Sequence, residues 1–407
     1  MITLTLAGCA GAARTSASAP LPTPSPTSPF AWKFATATAQ SWTPTPPPNA
    51  AQISPLPGVH PQWRAASLPA NFGFSYHLSW LGVSSGNGAV AYTCSQQGSA
   101  PGAPINPVET LRTNNAGVTW SRVADINQPW DGCMSVIVDD LNPQIALLGG
   151  GVVSAYTVDG GQTWHVSATS SNAYIKKLAS VGSRTYAVQG GAQGDTLLLS
   201  QDGLASWRDI TGPMRGQAIS GFWANPVTGA LLTVTAPANY AASALTLWLS
   251  SDGGATWNHR TAPFDSGGMG DIPLTVRAPG GSSSWQMCLN GGFGSQSSIS
   301  CSTDSGAHWS ALPDLYDAGL RGHGVEAIAD DGAVLALGIS DTDWRLYRLA
   351  PGAARWQSLG SLPPTTGTLL YTHVNGGPGI LWSLPSVKGG GSGDANPSDV
   401  LSATYPY

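Results

Sequence analysis

Charge is scarce in this chain. Only 10% of its 407 residues are Asp, Glu, Lys or Arg, with four lysines, two glutamates and a formal net charge of −5. No basic run of the kind that neutralises phosphates is present, which argues against nucleic acid as a partner. No segment carries sustained 3.6-residue apolar periodicity, so a helical fold is excluded. Ser-His-Asp, Cys-His and His-rich metal signatures are also missing, and the chain is expected to hold no metal and no cofactor. What is abundant is turn chemistry, with 51 glycines and 32 prolines. That balance suits many short strands joined by tight turns.

The turns repeat. Thr157 to Trp164 and Ser250 to Trp257 both read S/T-x-D-x-G-x-T-W. Thr113 to Trp120 matches with Asn115 in the Asp place, Ser302 to Trp309 matches with His308 in the Thr place, and Ser200 to Trp207 carries Leu204 in the glycine place. Glycine supplies the positive-φ residues of a tight hairpin, and the Asp carboxylate folds back on the turn with the Ser/Thr hydroxyl as a second clasp. The tryptophan opens the next strand and buries a flat ring between sheets. The structural residues so assigned are Asn115, Gly117 and Trp120; Asp159, Gly161 and Trp164; Asp202 and Trp207; Asp252, Gly254 and Trp257; and Asp304, Gly306 and Trp309. A calcium loop is excluded, because no further acids fall at the required spacing.

These octads resemble Asp boxes, or BNR repeats, found in sialidases, some glycoside hydrolases, sortilin-type receptors and photosystem II assembly factors. The resemblance covers about Val59 to Pro385 and implies a β-propeller with the octads on outer hairpins, away from the ligand face. Trp63 and Trp356 extend the register, giving gaps of 57, 44, 43, 50, 52 and 47 residues, each enough for four short strands. Seven apolar or alternating runs read as innermost strands: Phe72–Trp80, Cys133–Val138, Tyr174–Ala179, Ala218–Trp223, Ile272–Val276, Val325–Ala329 and Leu369–Val374. The strand at Trp63 has no inner strands before it, and Leu369–Val374 and Gly379–Leu384 have no Trp strand after them. Pairing the termini into one mixed blade solves both problems. The expected fold is an all-β, seven-bladed β-propeller with a mixed closing blade, six blades being the alternative.

Residues 58–386 then form the propeller. Leu6-Ala7-Gly8-Cys9 matches a bacterial lipobox, and residues 1–9 read as a truncated lipoprotein signal with Cys9 as the lipidated residue, a chance match being the alternative. Residues 10–57 are rich in Pro, Ser, Thr and Ala and read as a disordered tether reaching on the order of 100 Å at ~3.1 Å per residue. Residues 387–407 are expected to be a flexible tail. Of the remaining cysteines, Cys288 and Cys301 flank a Gly/Ser-rich turn and are expected to pair, leaving Cys94 with Cys133; four buried thiols are the alternative. The implied place is extracytoplasmic, lipid-anchored to a bacterial envelope.

Propellers usually bind ligands where the innermost strands begin. The residues there are Trp130, Asp131, Tyr174, Arg215, Asp271, Arg321, His323, Tyr371 and His373. Resemblance to sialidases implies an arginine clamp, a Tyr–Glu nucleophile pair and an Asp acid/base, for which Arg215, Arg321, Tyr371, Glu326 and Asp131 are the matching types. The Arg-Ile-Pro motif of that family is absent, Glu109 falls beside the first octad, and Arg277 falls at the far end of its strand. The expectation is therefore a non-catalytic module that binds a protein or glycan at the channel mouth, with a sialidase-like exo-glycosidase as the alternative.

Overall fold

The computed structural model describes residues 54–55, 61–65, 81–84, 87–95, 109–123, 135–149, 154–166, 175–238, 244–265, 274–278, 284–291, 298–313, 315, 321–340, 343–363, 366–374, 377–385 and 401–405. Two short N-terminal strands, β1 (Ser54–Pro55) and β2 (Arg64–Ala65), precede the first complete blade. Blade 1 is β3 (Leu81–Val83), β4 (Ala91–Ser95), β5 (Glu109–Thr113) and β6 (Ser121–Arg122). Blade 2 is β7 (Ser135–Val138), β8 (Ala146–Gly149), β9 (Ser154–Thr157) and β10 (His165–Val166); blade 3 is β11 (Ile175–Val181), β12 (Arg184–Gln189), β13 (Thr196–Ser200) and β14 (Arg208–Asp209). Blade 4 is β15 (Gln217–Ala224), β16 (Leu231–Pro237), β17 (Ala244–Ser250) and β18 (Asn258–Asp265), and blade 5 is β19 (Leu274–Arg277), β20 (Gln286–Gly291), β21 (Ser298–Ser302) and β22 (Ser310–Ala311). Blade 6 comprises β23 (Arg321–Ile328), β24 (Val334–Ser340), β25 (Asp343–Leu349) and β26 (Gln357–Ser361). Blade 7 comprises β27 (Thr366–Val374), β28 (Gly377–Pro385), β29 (Leu401–Thr404) and, returning from the N-terminus, β2. The molecule is a seven-bladed β-propeller.

Burial follows from blades stacked face to face. Middle strands are covered on both sides, so β8 is buried at every residue and β16 at all but its last, whereas the fourth strands β6, β14 and β22 are exposed. The middle strands are accordingly mostly apolar, and the fourth strands are short and mostly polar. The core is divided among the seams. One cluster joins Tyr92 and Cys94 of blade 1 to Val136 and Leu148 of blade 2, and corresponding clusters fill each seam through to blades 6 and 7. At the seam between blades 7 and 1, the wholly buried Trp382 indole donates to the Gly88 carbonyl (3.1 Å), and Ser402 Oγ donates to the Ala116 carbonyl (2.5 Å).

Three boundaries differ from the sequence expectation. The innermost strand of blade 1 is Leu81–Val83, downstream of Phe72–Trp80, which lies outside the described residues. Leu401–Thr404, expected within a flexible tail, is the third strand of the closing blade and pairs with both β28 and β2. Ser54–Pro55, expected within the tether, pairs in parallel with Gln357–Ser358 as a fifth strand on blade 6. Both segments are too short to carry a periodic signal, and pairing to a neighbouring strand is what reveals them.

Every octad lies in the hairpin between third and fourth strands. The positive-φ residues are the fourth and fifth of each octad: Ala116 and Gly117, Gly160 and Gly161, Gly203 and Leu204, Gly253 and Gly254, Ser305 and Gly306. The first-place hydroxyl accepts the fifth-place N–H (2.8–3.0 Å). The third-place Oδ1 accepts the seventh-place N–H (2.9–3.0 Å). Substituted octads keep this frame: Asn115 Nδ2 donates to Thr119 Oγ1 (2.8 Å), and His308 Nδ1 stands 2.6 Å from Asp304 Oδ2. Cys288 and Cys301 are register partners on β20 and β21 and form a disulfide. Cys94 is disulfide-bonded as well; its expected partner, Cys133, lies outside the described residues.

Candidate functional site

An antiparallel four-stranded blade puts its first–second and third–fourth turns at one end. Its second–third turn and the connection to the next blade lie at the other. All octads therefore share one face of the ring, and the strands β7, β11, β15, β19, β23 and β27 all start on the octad-free face. That face is where the sequence places the ligand.

On the octad face, arginines bind across the seams. Arg260 of blade 4 donates to the carbonyls of Asp304 (3.0 Å) and Ser305 (2.8 Å) in the octad of blade 5. Arg277 of blade 5 donates to Gln286 Oε1 (3.2 Å) and to the Asp330 carbonyl in the first–second turn of blade 6. Arg348, buried in blade 6, pairs with Asp331 and donates from Nε to the Tyr405 hydroxyl (3.0 Å) beyond β29. Within blade 1, Arg112 lies over the Tyr92 ring, 5.4 Å from its centroid. Arg277 is thus held away from the channel mouth and cannot complete an arginine clamp there.

Tyr371, expected at the ligand face, serves the octad side instead. Its hydroxyl points to Asp330 Oδ2 (3.4 Å), and its ring lies over Gly379 and meets Tyr405 edge-on at 5.5 Å. Burial, with Asp330 adding to it, pushes the phenol above its ordinary value, the opposite of what a nucleophilic tyrosine needs. Glu326 is the extra residue of a bulge in β23, between Val325↔Ala336 and Ala327↔Leu335. The bulge therefore lies in the innermost strand of blade 6, in its ladder with β24. Burial alone raises the Glu326 carboxyl to about 7.

Of the remaining expected residues, Arg215 follows a short 3-10 helix (Gly212–Met214) at the mouth side of blade 4. It is 68% exposed at its side chain and pairs with Asp209 (2.6 Å). Arg321 and His323 lie at the octad-free end of β23 and His373 near the octad end of β27, placed by backbone alone. Trp130, Asp131, Tyr174 and Asp271 lie outside the described residues. Lys176, in a bulge of β11, pairs with Asp195 (2.8 Å), whose carboxylate also accepts the Ile219 N–H of blade 4 (2.6 Å). Sequence reasoning missed Trp344. It is the second residue of β25, at the octad-free end, is 41% exposed, and pairs with Ile339, which in turn pairs with Arg321. The available signal was its place outside the regular tryptophan series. Among the described residues no three His, Cys, Asp or Glu side chains could hold a metal ion, and no helix is long and apolar enough to cross a membrane.

No protein-family model matches the sequence, and no curated protein does so either. Solved propellers are similar in fold. A structure of YCF48 bound to D1 peptide matches over 88% of this chain and 99% of that chain, at 13% identity and a TM-score of 0.53. A GH74 xyloglucanase from Xanthomonas campestris matches over 79% of this chain and 59% of that chain, at 16% identity and a TM-score of 0.45. At these identities the likeness is one of fold alone, and the match to the peptide-bound structure agrees with the seven-bladed propeller that the strand order of this chain gives.

Proposed function

We propose that this propeller is a binding module that presents its octad-free face to an extended protein segment, and that it is held at a bacterial envelope through Cys9. The observation that carries this reading is the contrast at Trp344. It is the one large aromatic among the described residues with more than a third of its surface exposed, and it stands in register with Arg321 on the face where Arg215 is also exposed. Aromatic and arginine side chains are the types that anchor protein interfaces. The fold neighbour YCF48 is bound to a peptide, which supports a protein ligand over a glycan.

A sialidase-like hydrolase is the second reading, favoured by Glu326 alone, whose carboxyl near 7 suits a general acid. Tyr371 does not support it, for the reasons above. The two readings separate on peptide arrays and on a fluorogenic sialoside. Array binding that falls about 30-fold in Trp344→Ala, with no sialoside turnover, is the expected result. Turnover lost in Glu326→Gln and retained in Trp344→Ala would replace the binding reading with the hydrolase.

A further inference from the structure

The polarity of two short strands fixes where the N-terminal segment joins the ring. Each fourth strand follows a third–fourth hairpin, so β26 runs from the octad face toward the octad-free face. Ser54–Pro55 pairs with β26 in parallel and therefore runs the same way. Arg64–Ala65 pairs antiparallel with β29, a third strand running toward the octad face, and so has the same polarity again. Two strands on two neighbouring blades agree: at each of them the chain enters from the octad side, first on the rim of blade 6 and then on blade 7.

We infer that the chain joins the propeller at the octad-side rim of blade 6, so that whatever precedes Ser54 is attached on the octad side of the ring and not on the octad-free side. Parallel pairing cannot be satisfied with the opposite sense, because reversing β1 would convert its bonds to an antiparallel ladder. The face that carries Trp344 and Arg215 is thereby left clear of the point of attachment for a partner. This last step rests on the ligand-face reading above; the attachment side does not.

The test measures distances between paired spin labels in the full chain, with Cys9→Ser and the native disulfides intact. One label is placed at Ala51→Cys, three residues before β1 and thus within ~11 Å of Ser54 along the chain. The second is placed either at Ala354→Cys, exposed in the third–fourth turn of blade 6, or at Asp343→Cys, exposed at the octad-free start of β25. The seven residues of β25 separate these two sites by roughly 20 Å. The expected outcome is an Ala51–Ala354 distance shorter than Ala51–Asp343 by on the order of 10 Å. Equal distances, or the reverse order, would overturn the inference. An Ala354–Asp343 pair reports whether blade 6 is folded in the labelled protein. Neither ligand nor membrane enters the measurement, so its failure leaves the ligand-face reading standing, and loss of the Trp344-dependent binding leaves the attachment side standing.

Discussion

The two faces of the ring use similar residues for different ends. On the octad face, Arg260, Arg277 and Arg348 each reach across a seam to a backbone carbonyl or a tyrosine hydroxyl. On the octad-free face, Arg215 stays 68% exposed and pairs within its own blade connection, and Trp344 is left open to solvent. A repeated motif marks where a solenoid-like ring is fastened, because every blade faces the same joining problem. Residues that occur once, outside the repeat, are where a ligand can be distinguished.

The largest test of that contrast is Arg348→Ala. It leaves Asp331 and the Tyr405 hydroxyl without their shared cation at the seam of the closing blade, and is expected to cost about 3 kcal/mol in urea unfolding. A loss well under 1 kcal/mol would mean the octad-face arginines are not fasteners. Glu326 gives the next effect. Burial pushes its carboxyl from the ordinary 4.5 up to about 7, so stability falls as pH rises from 4.5 to about 7 and stays low above that. Glu326→Gln should therefore stabilise by on the order of 2 kcal/mol at pH 8 and change little at pH 4, read from unfolding midpoints at both values.

The octads can be set against one another. Leu204 has φ +74° yet is 1% exposed, so Leu204→Gly relieves the backbone but empties the seam between blades 2 and 3, for a net loss of about 2 kcal/mol. Ala116, at φ +56°, has little side chain to lose, and Ala116→Gly should gain about 0.5–1 kcal/mol. Equal signs for the two would show that backbone conformation is not the constraint.

The octad carboxylates titrate in the opposite sense to Glu326. Hydrogen bonds from Ser206 and Ser200 hold Asp202 at about 2, and those from Thr256 and Thr256's neighbour across the turn, Ser250, do the same for Asp252. Their folded values lie below 3.8, so the stability they add is complete above that pH and is lost as pH falls toward about 2. Acid unfolding of Asp202→Asn/Asp252→Asn should be flatter in that window than that of the parent. Smallest of all, Arg215→Ala is expected to leave the thermal midpoint unchanged, as its ion pair is solvent-exposed. A clear drop would erase the distinction between the faces.

The blade count was legible because turn chemistry and tryptophan spacing agree at five repeats and the spacing alone carries the register on to Trp63 and Trp356, and counting unpaired strands led to a closing blade made from both termini. What escaped was short or singular. Leu401–Thr404 has four residues and no flanking turn signal, and Ser54–Pro55 sits in a proline-rich run that composition assigns to a tether. Tyr371 was placed by the start of its strand, but a long side chain near the far end of β27 reaches the other face. Trp344 carries no motif, and only its exposure reveals it.

Blade 7 takes its outermost strand from residues 64–65 and the other three from residues 366–404. During synthesis, β2 emerges among the first strands, and its partner β29 emerges more than 330 residues later. Blades 1 to 6 are each contiguous in sequence (apart from the added β1) and can form as they appear, while the ring stays open throughout. The sides of blades 1 and 6 that face the gap are without a neighbour until the C-terminal strands arrive. Time spent in that open state, more than the strength of any one blade, then decides how often the chain aggregates before it closes.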